Sequence, residues 1–69
     1  MNAYKLEIRD YRKLKRLSQR ELAAKIGISR SYLSELENQK YEITLTMLSK
    51  IANALQVHPF DLVEFLDNG

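Results

Sequence analysis

Between Ser29 and Asn38 the chain sets out a run of small and charged hydrogen-bonding side chains: Arg30, Ser31, Ser34, Glu35 and Asn38. At about 100° per residue these fall on one arc of a helix, and Tyr32, Leu33, Leu36 and Glu37 fall on the other. The outer arc carries no apolar residue and no bulk beyond one Arg and one Glu. An Arg fork donates two parallel hydrogen bonds, a Glu accepts, and a Ser hydroxyl does either. Such groups match the base edges exposed in a major groove: Arg with guanine, Glu with the cytosine amino group, Ser with either. A solvated polar face has the same composition. The arc gains meaning only from the elements around it.

Catalytic chemistry has little to work with. His58 is the only His and there is no Cys. His58 stands beside Pro59, where a helix cap or solvent contact accounts for it. Glu35 and Glu37 lie on different helix faces, so they form no acid pair. We assign no catalytic residue, no metal and no cofactor.

The elements that must position the arc are legible from their punctuation. Ser18 and Glu21 stand in the Ser-x-x-Glu spacing of a capping box, which starts a helix at Ser18. Gly27 ends it, where a helix wants a residue at positive φ. Only Gly27, Ile28 and Ser29 then separate it from the next helix, which Ser29 can cap and which runs to about Asn38. Gln19, Ala23, Gly27, Leu33 and Leu36 recur at a restrictive spacing. Ala23 lets the two helices approach closely, Gly27 makes the turn, and Ile28, Leu33 and Leu36 point into the core. Helical hairpins without DNA function also exist, so spacing alone leaves that alternative open.

Elsewhere a first helix is expected from about Ala3 to Lys15, with Tyr4, Ile8 and Tyr11 on one face. Thr44 caps a fourth through Leu55, and Pro59 suits the first turn of a fifth. No segment alternates with period two for long, so no strand is expected. The expectation is an all-α, compact five-helix bundle in a single domain over residues 1–69.

Charge divides the chain. Residues 1–40 hold ten Lys/Arg against five Asp/Glu, a surplus of five positive charges; residues 41–69 hold one Lys against four acids, a surplus of three negative. One half is built to meet an anion. Gln19, with the first-turn amides of its helix, is a candidate phosphate contact, as are Asn38, Lys40 and Tyr41 beyond the outer arc. Arg9, Lys13, Lys15, Arg16 and Arg20 add diffuse attraction. Glu37 falls on the inner arc, where an unpaired carboxylate is costly. Arg12 lies on the inward side of the first helix, and an Arg12–Glu37 ion pair is expected to lock the two helices together. No apolar run approaches the roughly 20 residues of a membrane span, and the N-terminal stretch lacks a signal peptide's apolar core. A cytoplasmic location is expected.

The stretches Ile8–Arg12 and Leu17–Glu37 resemble the xenobiotic-response-element (Cro and phage-repressor-like) helix-turn-helix family. Leu48–Leu55 and Val57–Leu62 resemble that family's fourth and fifth helices. The resemblance implies a lambda-repressor-like domain that often dimerises and acts as a sequence-specific DNA-binding transcriptional regulator, a repressor above all. By position it assigns phosphate contact to Gln19 and Asn38, and base-edge contact to Arg30, Ser31 and Glu35, with Ser29 and Ser34 as lesser candidates. It also pairs Arg12 with Glu37. Where the family usually has Gly after helices one, three and four, this chain has Arg16, Gln39 and Gln56, and Ile43 replaces a common Pro. Either these residues sit at positive φ, at about 1 kcal/mol each, or those helix ends differ.

Phe60, Val63, Phe65 and Leu66 exceed what a short terminal helix can bury beside Leu62. A two-fold homodimer through this C-terminal helix is therefore expected alongside double-stranded DNA as partner, with no small-molecule site evident. The alternative of another class is a protein-interaction module, such as an antitoxin or anti-repressor, against which the basic first half argues.

Overall fold

The computed structural model describes residues 3–66. Strand β1 (Tyr4–Leu6) leads into α1 (Ile8–Leu14), α2 (Gln19–Ile26), α3 (Arg30–Glu37) and α4 (Leu45–Leu55), followed by a 3-10 turn (Pro59–Leu62) and strand β2 (Val63–Phe65). The strands pair antiparallel, Tyr4 with Phe65, Lys5 with Glu64 and Leu6 with Val63.

Two expectations are corrected. The first helix does not reach back to Ala3, because Tyr4–Leu6 is a strand and Glu7 (φ −111°, ψ 30°) separates it from α1. The fifth helix is replaced by the 3-10 turn and β2, so the domain is mostly helical with four α-helices and a two-stranded sheet. The physical reason is the same at both ends. Tyr4-Lys5-Leu6 and Val63-Glu64-Phe65 each alternate apolar and charged residues, and are rich in aromatic and branched side chains. Three residues carry too short a period to reveal themselves, and each strand's partner lies at the other end of the chain. His58 starts the 3-10 turn, and Val63 (φ −126°, ψ 128°) ends it by returning to extended backbone. The His58 Nδ1 accepts from the Phe60 N–H (3.0 Å), and its own N–H donates to Asp61 Oδ2 (3.1 Å), closing a tight cap around Pro59.

The core is one cluster into which every element contributes. Ile8, Leu22, Leu33, Ile51 and Leu62 are fully buried, with Leu36, Leu55, Ala52 and Ala23 around them. Each such Leu or Ile contributes about 1.5–3 kcal/mol on burial. Ala23, on α2, is buried in the same cluster.

Arg16 (φ 60°), Gln39 (φ 54°) and Gln56 (φ 59°) all take the left-handed conformation. The helix ends therefore keep the geometry a Gly would adopt, at a backbone cost of about 1 kcal/mol or more each. Gln39 uses its side chain in return. Its Oε1 accepts from the Leu6 N–H (2.9 Å) and its Nε2 donates to the Tyr4 carbonyl (3.2 Å), so the carboxamide lies along the outer edge of β1 as a surrogate strand.

Candidate nucleic-acid interface

The α2–turn–α3 unit forms as its punctuation dictates. Ser18 Oγ accepts from the Glu21 N–H (3.0 Å) while the Ser18 N–H donates to Glu21 Oε1 (2.8 Å). These bonds to Ser18 hold the Glu21 carboxyl below the usual carboxylate range. Gly27 (φ 87°) closes α2 with its N–H on the Ala23 carbonyl (2.8 Å). A Cβ at Gly27 would meet nothing within 4 Å, so the backbone angle alone demands glycine here. Ser29 then caps α3 by accepting from the Tyr32 N–H (3.0 Å). Its hydroxyl spends one lone pair on this bond and keeps its proton and a second lone pair for another partner.

On α3, Arg30, Ser31 and Asn38 are exposed, Ser34 and Glu35 half-buried, and Leu33 and Leu36 buried. The polar arc thus reaches the surface together, with none of its residues buried in the core. Tyr32 departs from its expected inward position and is 37% exposed. Lys40 is exposed just beyond α3, and the Tyr41 hydroxyl donates to Glu35 Oε2 (3.3 Å). The negative charge of Glu35 and this hydrogen bond raise the Tyr41 phenol above the ordinary tyrosine value.

Behind the arc lies a connected polar network. Arg12 and Glu37 are each only 8% exposed, and Arg12 Nε donates to Glu37 Oε2 at 2.7 Å. Arg12 Nη2 reaches Glu37 Oε1 (3.3 Å), and Nη1 donates to the Leu17 carbonyl (3.0 Å). Gln19 Nε2 donates to Glu37 Oε1 (3.0 Å), and Arg9 Nε lies 3.4 Å from the same oxygen. Burial by itself would raise the Glu37 carboxyl, but the bonds from Arg12, Gln19 and Arg9 together with the Arg12 charge outweigh it and hold it below its usual value. No buried side-chain polar atom among the described residues lacks a partner. One carboxylate therefore ties α1, α2 and α3 into a fixed arrangement.

This network changes how several site residues are understood. Gln19 is not simply a free surface group. It donates inward to Glu37, and its Oε1 lies 3.5 Å from Arg30 Nη1, at the limit of a hydrogen bond. Asn38 is oriented twice, with Nδ2 donating to the Ser34 carbonyl (2.9 Å) and Oδ1 accepting from Arg9 Nη2 (2.7 Å). Arg9 was read only as diffuse positive charge. Its position one helical turn before Arg12, on the same stripe of α1, was the signal that it shares Arg12's partner. Gln39 was read only as a loop departure, and nothing local in the sequence marks its bond to a strand.

A helix pair joined by a short turn, an outward polar arc and a connected polar foundation together define the fold unit. The helix-turn-helix family model matches residues 8–62. This chain belongs to the helix-turn-helix family. It is 41% identical over 64 residues to the ImmF control region 10 kDa protein of Bacillus phage phi105, covering 83% of this chain and 71% of that protein. It is 40% identical over 50 residues to the immunity repressor protein of the same phage, covering 72% of this chain and 35% of that protein. Among solved structures, the master regulator for biofilm formation SinR in complex with DNA superposes with a TM-score of 0.72 at 36% identity, covering 78% of this helix-turn-helix protein and 87% of that chain.

Proposed function

We propose that this protein is a repressor that lays α3 into the major groove of DNA, working as a single domain and as a homodimer. As a member of the helix-turn-helix family with regulators as relatives, it is a DNA-binding transcription regulator. The observation that carries the finer reading is the outward arc of exposed Arg30 and Ser31 with half-buried Ser34 and Glu35, backed by the buried Glu37 network. Arg30 reads a guanine by its two parallel donors, Ser31 and Glu35 read neighbouring base edges, and Ser29 and Ser34 play lesser parts. Gln19, Asn38 and Lys40 grip phosphates on either flank, with the charge surplus of residues 1–40 steering approach. A regulator of this kind works where the DNA is, in the cytoplasm expected from the sequence. Among the described residues no helix is long and apolar enough to cross a membrane.

The homodimer reading rests on a second surface, beside the sheet. Phe60 (76% exposed), Phe65 (77%) and Leu45 (81%) surround an apolar groove of about 290 Å³ whose floor includes Leu6, Leu48 and Val63. Exposed apolar area of this kind marks an association site. Two copies joined here present two reading helices to half-sites roughly 34–36 Å apart.

Selection of bound sequences from a random duplex pool tests the reading. The expected outcome is a palindromic site whose binding weakens linearly in log affinity against log salt. Arg30→Ala is expected to relax preference at one guanine per half-site, by about 1–3 kcal/mol of discrimination. Flat salt dependence, or unchanged selectivity in that variant, would overturn it.

A further inference from the structure

The two edges of the small sheet are treated differently by the chain. Backbone bonds from the Glu7 N–H to the Leu62 carbonyl (2.8 Å) and from the Leu66 N–H to the Ala3 carbonyl (3.0 Å) frame the ladder. With the register Lys5–Glu64 between them, the odd residues of β1 face the even residues of β2. The outward groups of β1 are then those of Tyr4 and Leu6, and the Gln39 carboxamide takes the two central ones, the Tyr4 C=O and the Leu6 N–H, and so sits across this edge. The outward groups of β2 are those of Val63 and Phe65. The Val63 N–H is taken by the Phe60 carbonyl, while the Phe65 N–H and C=O have no partner among the described residues. One edge is plugged and the other is open.

We infer that β2 pairs edge to edge with β2 of a second copy, and that the Gln39 plug on β1 confines this pairing to a closed dimer. The inference rests on the homodimer reading above and specifies how that dimer forms and why it stops at two.

The groups present select the occupant and the register. Residues 41–66 hold one Lys against three acids, and the sheet itself is neutral, which disfavours a polyanion here. A two-fold axis at Phe65 lets each Phe65 N–H donate to the other Phe65 carbonyl, satisfying both open groups at once. An axis at Glu64 would set two carboxylates directly opposite, which is destabilising, and would call on the Val63 N–H that is already used. The Phe65 axis instead keeps each Glu64 beside its own Lys5. It also brings the two exposed Phe65 rings together on the face shared with Tyr4, Leu6 and Val63. The exposed Phe60, Phe65 and Leu45 line one groove beside this edge, so edge pairing has apolar surface next to it to cover. Two open edges would have allowed continuous edge-to-edge growth, the hazard that natural sheets block. Gln39 blocks it at the expense of a left-handed backbone.

Sedimentation over a concentration series with Phe65→Pro, Phe65→Ala and Gln39→Gly tests this. Proline deletes the outward N–H while leaving every β1–β2 bond, and is expected to weaken the dimer at least tenfold beyond Phe65→Ala, which keeps that N–H. Gln39→Gly is expected to form species larger than dimers. In the unaltered protein, exchange of the Phe65 amide should slow as concentration rises into the dimeric range. If Phe65→Pro dimerises as tightly as Phe65→Ala, or the Phe65 amide exchanges equally fast at all concentrations, edge pairing is overturned although the homodimer stands. If Gln39→Gly stops at dimers, the plug is overturned. An unaltered protein that stays monomeric at tens of micromolar removes the homodimer reading itself.

Discussion

The half of the molecule that presents α3 and the half that presents the sheet solve opposite problems. Around α3 the exposed groups are polar, and their positions are set by a buried carboxylate bonded to Arg12, Gln19 and Arg9. At the sheet the exposed groups are Phe60, Phe65 and Leu45, and the backbone edge itself offers bonds. The first surface is fixed by internal polar bonds and left uncovered. The second is apolar and carries an unmet donor and acceptor, the combination on which the proposed association rests. Hydrogen-bonded recognition needs preset geometry, because a misplaced donor forfeits its bond. Apolar association tolerates adjustment and needs mainly area.

The sharpest way to break this contrast is to loosen the polar foundation. Arg12→Met leaves Glu37 buried without its main partner and is expected to cost about 3–5 kcal/mol. Replacing both partners, as in Arg12→Met with Glu37→Leu, is expected to recover most of that stability in thermal unfolding. DNA affinity should stay low in the double variant, because Gln19 and Arg9 lose their anchor as well. Recovery of affinity along with stability would mean that the network contributes only to folding.

Acid gives a smaller and graded version of the same test. The Glu37 carboxyl is depressed in the folded state, so its contribution is complete above the unfolded glutamate value of about 4.3 and is lost as pH falls through its lower folded value. The melting temperature is expected to drop by several degrees below pH 4. The double variant should show less of this drop. The sheet end has no comparable buried carboxylate among its described residues.

The helix-turn-helix was readable because its signals are local. Ser18 with Glu21, Gly27, and Ser29 each act within four residues, and α3's apolar stripe repeats over two turns. The Arg12–Glu37 contact could be inferred because both charges fall on inward arcs. What escaped were contacts between distant residues with no periodic trace. Tyr4–Leu6 was read as helix since Tyr4, Ile8 and Tyr11 also fit a helical face. Its true partner, β2, lies some 60 positions away, from Val63 to Phe65. Arg9's bond to Asn38 and Gln39's bonds to β1 are of the same kind, each joining side chains or backbone about 30 positions apart.

The smallest expected effect separates two residues with the same strained backbone. Gln56 sits at φ 59° with an exposed side chain and no side-chain hydrogen bond among the described residues. Gln56→Gly is expected to stabilise by up to about 1 kcal/mol, relief of strain being partly offset by the freer unfolded chain. Gln39→Gly, which gives up the bonds to β1 as well, should show no such gain in the same melting measurement.

The ribbon formed by Tyr4–Leu6 and Val63–Phe65 also sets an order of events in time. It joins the earliest and latest segments of the described chain, so closing it carries the largest loop entropy in the molecule. During synthesis the helices can pack while β2 is still to be made. A growing chain therefore has no completed ribbon to offer a neighbour on the same messenger. Any pairing through the β2 edge comes after the chain has closed on itself.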